Sequence, residues 1–143
     1  MNIIIVSHGY MAEGVLSAAK MILGDCENIY AYDLAKYDSP SDIAKLLEKP
    51  IKKQSDTDFI VFCDIHGGSV HNKMTELCKY QNVYIVGGLT LSMVLECQLK
   101  KETMETRKLI DYVVKLAKES ISIISHKEAM EKIKTGMEDD NLW

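Results

Sequence analysis

Phe59-Ile60-Val61-Phe62-Cys63-Asp64-Ile65-His66-Gly67-Gly68-Ser69-Val70-His71-Asn72 is the stretch whose reading decides the fold of this chain. Five apolar or thiol residues run unbroken into a carboxylate, and two glycines and a hydroxyl follow at once. An apolar run without alternation suits a strand buried on both faces, as in a parallel sheet. Gly67 and Gly68 allow a tight turn and a close approach of backbone to ligand. A helical pattern opens at Ser69, so the segment reads as strand, turn and helix start, with amide N–H groups presented above Asp64. That junction is an anion site in outline. It is equally an ordinary strand-to-helix turn with Ser69 as the helix cap, and the two roles of Ser69 are compatible.

Outward from this stretch the chain alternates strands and helices. Asn2 to Val6 is a continuous β-branched run, broken by Ser7-His8-Gly9. Ala12, Val15, Leu16, Ala19, Ile22 and Leu23 then mark one helical face ending at Gly24. Ile29 to Asp33 reads as a second strand. Ser39-Pro40-Ser41-Asp42 starts a second helix with a cap, a first-position proline and an acid in the first turn. Ile43, Leu46 and Leu47 are its apolar face, and Pro50 is expected to end or kink it. The third helix spans about Val70 to Lys79. Val83 to Val86 is a fourth strand closed by Gly87-Gly88, and Leu91, Val94, Leu95 and Leu99 carry a fourth helix. Beyond a charged joint at Lys100 to Thr106, the stripe Leu109, Ile110, Val113, Leu116 and Ala117 is helical. Ile121-Ser122-Ile123-Ile124-Ser125 reads as a short fifth strand.

The fold class that follows is α/β: a doubly wound, flavodoxin-like, mainly parallel sheet in the order 2-1-3-4 with a short antiparallel fifth edge strand. Residues 1–126 are expected to form one domain. Residues 127–143 are expected to be a C-terminal tail, weakly helical around Ala129, Met130 and Ile133 and frayed at its end.

Composition narrows the function. The chain has 143 residues, 47% hydrophobic and 27% charged, with a net charge of −4, which is globular and gives nucleic acid no basic stripe to bind. No apolar run reaches a membrane span, and Met1 to Val6 lacks the basic leader of a signal peptide. A cytoplasmic protein is expected. Cys26, Cys63, Cys78 and Cys97 lack C-x-x-C spacing and suit reduced thiols filling core space, not a disulfide frame or a zinc site. His66 and His71 lie five apart across a turn, which is not the same-face spacing of a metal pair. No metal and no cofactor is expected, and these two histidines are read as facing solvent or a docking surface.

In an open parallel sheet, ligands bind beyond the carboxyl ends of the strands where the strand order reverses, here between strands 1 and 3. Ser7-His8-Gly9 and Asp64 to Ser69 meet there, bringing an imidazole, a carboxylate, a hydroxyl, glycines and two helix starts together. A neutral imidazole nitrogen is a competent nucleophile toward phosphorus. A carboxylate on its other N–H fixes the tautomer, and helix-terminal N–H groups hold phosphoryl oxygens.

Ile5-Val6-Ser7-His8-Gly9, Ala12-Glu13-Gly14, Asp64-Ile65-His66-Gly67-Gly68-Ser69, and Gly88 followed by Met93-Val94-Leu95-Glu96 resemble the IIA component of the mannose-class (mannose, fructose, sorbose) sugar phosphotransferase system. The resemblance spans about the first 125 residues. It implies that His8 is phosphorylated by the carrier protein HPr, with Asp64 its orienting partner and Gly9, Gly67, Gly68 and Ser69 in the phosphate cradle. The group then passes to the IIB component, while the membrane components IIC and IID are engaged only indirectly. It also implies a homodimer, in which Ile121 to Ser125 covers the edge strand of a partner; the alternative is a monomer whose fifth strand folds back on its own sheet. The chain length leaves no room for a IIB domain, so a separate IIB is expected. Val70 and Ser92 stand where the family usually has proline, and His66 and His71 flank the turn.

Tyr10 and Met11 follow the active loop and are candidates for docking HPr and IIB; the plain alternative packs Tyr10 beneath the loop. Three other function classes fit less well. A regulatory IIA-like protein, such as the phosphotransfer subunit of a dihydroxyacetone kinase, would use the same His8 toward a different acceptor. A flavin- or nucleotide-binding redox module would need aromatics or a Ser/Thr-rich grip at the strand ends. A hydrolase would need a metal cluster or a second base beside His8.

Overall fold

Alternation along the first strand sets the layers. In the computed structural model, which describes residues 1–135, β1 (Asn2–Ser7) is buried along its whole length. Ile3 and Ile5 face one hydrophobic cluster and Ile4 and Val6 the other, as the period-2 geometry of a strand requires. β2 (Ile29–Asp33), β3 (Phe59–Cys63) and β4 (Val83–Gly87) complete a four-stranded, all-parallel sheet in the order β2-β1-β3-β4. The order turns at β1. Its first crossover leads to β2 on one side and later ones build outward on the other, so right-handed connections put helices on both faces.

α1 (Met11–Leu23), α4 (Leu91–Lys100) and α5 (Thr106–Glu119) cover one face, packing Ala12, Ala19, Val94, Cys97, Leu109 and Val113 against Ile3, Ile5, Ile60 and Phe62. α2 (Pro40–Lys53) and α3 (Ser69–Thr75) cover the other, with Ile43, Leu47, Ile51, Val70 and Met74 against Ile4, Val6, Val61 and Cys63. α3 continues into a 3-10 turn over Glu76–Lys79, so the chain is helical as far as Lys79. Each fully buried Ile or Leu contributes about 1.5–3 kcal/mol, which holds the strand ends that carry the site.

Several expectations need correction. α2 runs through Pro50 to Lys53. Pro50 lies in the last turn, where it forfeits one main-chain bond, and burial of Ile51 against the sheet (1% exposed) offsets that loss. The buried face of α2 is Ile43, Leu47 and Ile51, while Leu46 is exposed, as are Ile22 on α1 and Leu99 on α4. Cys63 and Cys97 are buried, but Cys78 is exposed and Cys26 only half-buried. Burial pushes the Cys63 and Cys97 thiols up to about 12.

The antiparallel fifth strand is absent from the described residues. Ile121 to Ser125 has no ladder partner, and Ile121, Ile123 and Ile124 are 78%, 90% and 59% exposed. Having no ladder partner, the segment makes no strand of its own. It leads into α6 (His126–Thr135) through a capping box in which the Ser125 amide and hydroxyl donate to Glu128 Oε2 and the Glu128 amide to Ser125 Oγ. The end of the expected tail, with Trp143, lies outside the described residues. Among them, no helix is long and apolar enough to cross a membrane.

Candidate functional site

The β1–β3 register pairs Val6 with Cys63, so β1 ends one residue beyond β3 and the residues that follow the two strands meet. His8 and Asp64 are those residues. Asp64 Oδ2 accepts from the His8 amide at 2.8 Å and lies 2.8 Å from His8 Nδ1, and Asp64 Oδ1 accepts from the Ile65 amide at 2.9 Å. Partial burial pushes the Asp64 carboxyl up. The bonds from the His8 amide, the His8 ring and the Ile65 amide together outweigh it and hold the group below the usual carboxylate range. An ionised carboxylate only accepts, so in the neutral ring Nδ1 carries the proton and Nε2 keeps its lone pair. Nε2 faces Ser69 Oγ at 3.2 Å. The ring is half open to solvent, with His8 44% exposed against 11% for Asp64 at the side chain.

Gly9 and Gly67 take φ of +57° and +77°, the left-handed region that glycine occupies without strain. At Gly68 a Cβ would crowd Ile65 Cγ2 at 2.7 Å and lie in ordinary contact, 3.5 Å, with His8 Cε1, so the turn runs directly alongside the ring. Gly68, not Ser69, is the residue before α3. Ser69 is the first helical residue, and its hydroxyl is turned to His8 where a helix cap was expected. Tyr10 is 66% exposed, Met11 43% and Ile65 57%. Tyr10 therefore does not pack beneath the loop, and Ile65 joins the two residues named from the sequence on the surface around His8.

His66 and His71 pack against each other beside the turn, with ring centroids 4.7 Å apart and ring planes tilted by 57°. They press on the end of β4, where a Cβ on Gly87 would come within 2.9 Å of His71 Cδ2 and 3.0 Å of His66 Cα. Gly87 is thus a close-approach glycine besides ending the strand. No cluster of three or more metal-binding side chains occurs among the described residues.

Sequence reasoning missed Asp33. It ends β2 opposite Ser7 in the parallel register and is 1% exposed. Its Oδ1 accepts from Ser7 Oγ at 3.1 Å and from the Ala12 amide at 2.8 Å, and both carboxylate oxygens take the Glu13 amide. Ser7 Oγ accepts a second bond from the Ala12 amide at 2.7 Å. The Ala12 and Glu13 amides at the start of α1 are therefore already served by a carboxylate of the protein, and these two are not free for a ligand as the sequence suggested. What Asp33 does instead is hold Ser7 and the first turn of α1, the two anchors of the His8 loop. The signal in the sequence was an acid at a strand end, legible only once β2 is known to lie beside β1.

Comparison with known proteins bears on the family and the fold. Residues 2–114 match the EIIA-man family model, described as the PTS system fructose IIA component. The chain is similar to the sorbose-specific EIIA component of the PTS of Klebsiella pneumoniae, 24% identical over 130 residues, which are 90% of this chain and 96% of that protein. It is also similar to the mannose-specific EIIAB component of Escherichia coli, 26% identical over 102 residues, 70% of this chain but only 32% of that longer protein. Among solved structures, it is similar to phosphotransferase system component EIIA from Streptococcus agalactiae, at 29% identity and a TM-score of 0.76, covering 85% of this chain and 95% of that one.

Proposed function

The chain belongs to the EIIA-man family, as a mannose-class IIA component of the sugar phosphotransferase system, and from that premise we propose that it accepts a phosphoryl group from phospho-HPr on His8 and passes it to a mannose-class IIB component. The observation that carries this reading is the His8 ring held between Asp64 at Nδ1 and Ser69 at Nε2. In the forward step the Nε2 lone pair forms a bond to phosphorus while the phosphorus–nitrogen bond of the donor phosphohistidine breaks, its electron pair returning to the donor ring. Positive charge develops on the His8 imidazole, and the Asp64 carboxylate on Nδ1–H stabilises it. Gly9, Gly67, Gly68 and Ser69 form the cradle of the transferred oxygens, with the Gly68 and Ser69 N–H and the Ser69 O–H as donors and Gly67, whose amide is held by His71 Nδ1, shaping the turn. Transfer to IIB is the same step with roles reversed.

An open site suits this chemistry. A phosphohistidine on another protein must reach Nε2, and the exposure of His8 leaves it room, with Tyr10, Met11 and Ile65 as apolar docking points. The groove of about 270 Å³ between α2 and α3, lined by Ala44, Lys45, Glu48 and Lys73 among others, contains none of these groups. The protein works in the cytoplasm and meets the membrane components only through IIB. Its unit is a homodimer in which Ile121 to Ser125 adds antiparallel to the β4 edge of a partner; the exposed isoleucines of that segment and the open outer edge of β4 support it.

The direct test is incubation with phosphoenolpyruvate, enzyme I and HPr, followed by intact mass. One acid-labile phosphate is expected. No gain while HPr is itself phosphorylated would refute the proposal.

A further inference from the structure

The Gly67–Gly68 peptide is the least constrained link in the turn beside His8. Neither residue has a Cβ, so the peptide plane can rotate between them at little steric cost. One side chain a turn further on ties it down: Asn72 Nδ2 donates to the Gly67 carbonyl at 3.0 Å. The Gly67 amide, which belongs to the preceding His66–Gly67 peptide, donates to His71 Nδ1 at 3.3 Å. The Asn72 main-chain amide donates to the Gly68 carbonyl at 2.9 Å. One residue therefore holds two successive carbonyls, the first through its side chain and the second through its backbone.

Planarity turns this into a statement about donors. In a trans peptide, C=O and N–H point in opposite directions within one plane, and the described chain has no cis bond. With the Gly67 carbonyl drawn toward Asn72, the Gly68 N–H points away from it. With the Gly68 carbonyl drawn the same way, so does the Ser69 N–H. Gly68 is the residue whose Cβ would lie 3.5 Å from His8 Cε1, and Ser69 carries the hydroxyl facing Nε2.

We propose that Asn72 is a positioning residue for phosphoryl transfer, whose side-chain amide locks the Gly67–Gly68 peptide so that the Gly68 N–H faces the phosphoryl group on His8. This rests on the reading of His8 as the phosphorylated residue. It assigns different origins to the two donors. The Ser69 N–H is oriented by a main-chain bond that any residue but proline supplies at position 72, whereas the Gly68 N–H depends on the Asn72 side chain. Asn72 is itself exposed and can be replaced without opening the core.

The test compares wild type, Asn72→Leu and Asn72→Ala by amide proton and nitrogen NMR before and after phosphorylation by HPr, with single-turnover transfer rates alongside. In wild type, the Gly68 and Ser69 amide signals both move on phosphorylation. In both variants the Ser69 shift persists and the Gly68 shift is lost. The maximal transfer rate falls about fivefold, the worth of one neutral hydrogen bond, with the half-saturating concentration of phospho-HPr unchanged. A Gly68 shift of wild-type size in the variants overturns the proposal, as does a transfer rate equal to that of wild type. Loss of both shifts also overturns it, since Asn72 would then support the whole turn. If wild type itself takes no phosphate on His8, the functional reading fails with it, an outcome distinct from a labelled wild type and indifferent variants.

Discussion

Replacing Asp64 by Asn tests the central electrostatic step while changing almost nothing in size. The carboxylate meets three donors: the His8 amide and ring N–H on Oδ2, and the Ile65 amide on Oδ1. An amide has one acceptor oxygen. If that oxygen faces His8, its NH₂ opposes the Ile65 N–H and the ring loses its charged partner. If it faces Ile65, the NH₂ donates to Nδ1 and drives the ring proton onto Nε2, removing the nucleophilic lone pair. Either arrangement replaces a charge-assisted bond of about 1.5–3 kcal/mol by a neutral or repulsive contact. At about 1.4 kcal/mol per decade, the transfer rate falls by about ten- to a hundredfold. Rapid-quench transfer from phospho-HPr near neutral pH is the assay, with thermal unfolding as the control for fold. The depressed carboxyl has a second consequence. A group whose folded pKa lies below its unfolded value, about 3.9 for aspartate, contributes stability that is complete above that value and is lost as pH falls through the folded pKa. Acid unfolding curves of wild type should show that loss and those of Asp64→Asn should lack it. A transfer rate for Asp64→Asn within about threefold of wild type would refute the reasoning, because neither arrangement of the amide leaves both tautomer and charge intact.

His8→Ala should abolish phosphate uptake with the fold intact and only a small fall in melting temperature, since an open loop imidazole adds little to core burial and only the ring's bonds to Asp64 and Ser69 are lost; intact mass and calorimetry read both, and labelling at the wild-type rate would move the site to His66, His71 or His126. Asp33→Ala should cost about 1–3 kcal/mol by leaving the Ala12 and Glu13 amides without their carboxylate, and it should slow transfer through a loosened His8 loop; urea unfolding with no loss of stability would contradict that account. Tyr10→Ala should weaken transfer from HPr and to IIB, read as a rise in the half-saturating concentration of each partner, and unchanged values for both would remove Tyr10 from the docking surface. Stopping the chain after Ser120 should convert dimer to monomer or aggregate while His8 still takes phosphate, because the crevice lies at β1 and β3; light scattering that finds the intact protein monomeric at high micromolar concentration would reject the exchange of strands.

Hydrophobic periodicity and turn chemistry are local, and what depends on them was legible in the residues alone. The unbroken run Phe59–Cys63 required a strand buried on both faces, and the regular alternation of strands with helical stripes required the parallel sheet. The order β2-β1-β3-β4 is that of the flavodoxin-like member of the doubly wound class, and with it comes the meeting of His8 with Asp64 and Ser69. The tertiary structure decided matters that depend on what lies opposite. Asp33 serves the first turn of α1 because the parallel register sets it beside Ser7. Helix α2 passes Pro50 because the sheet takes up Ile51. Ile22, Leu46 and Leu99 fit their helical stripes by spacing yet face solvent, since the width of a buried stripe is set by the neighbouring elements. Ile121 to Ser125 has the composition of a strand but no ladder in the described chain, because a strand exists only by pairing and its propensity does not supply the partner. The hold of Asn72 on Gly67 belongs with these: nothing in an Asn five residues past a glycine announces the bond, and the turn that closes it appears only when the chain has folded.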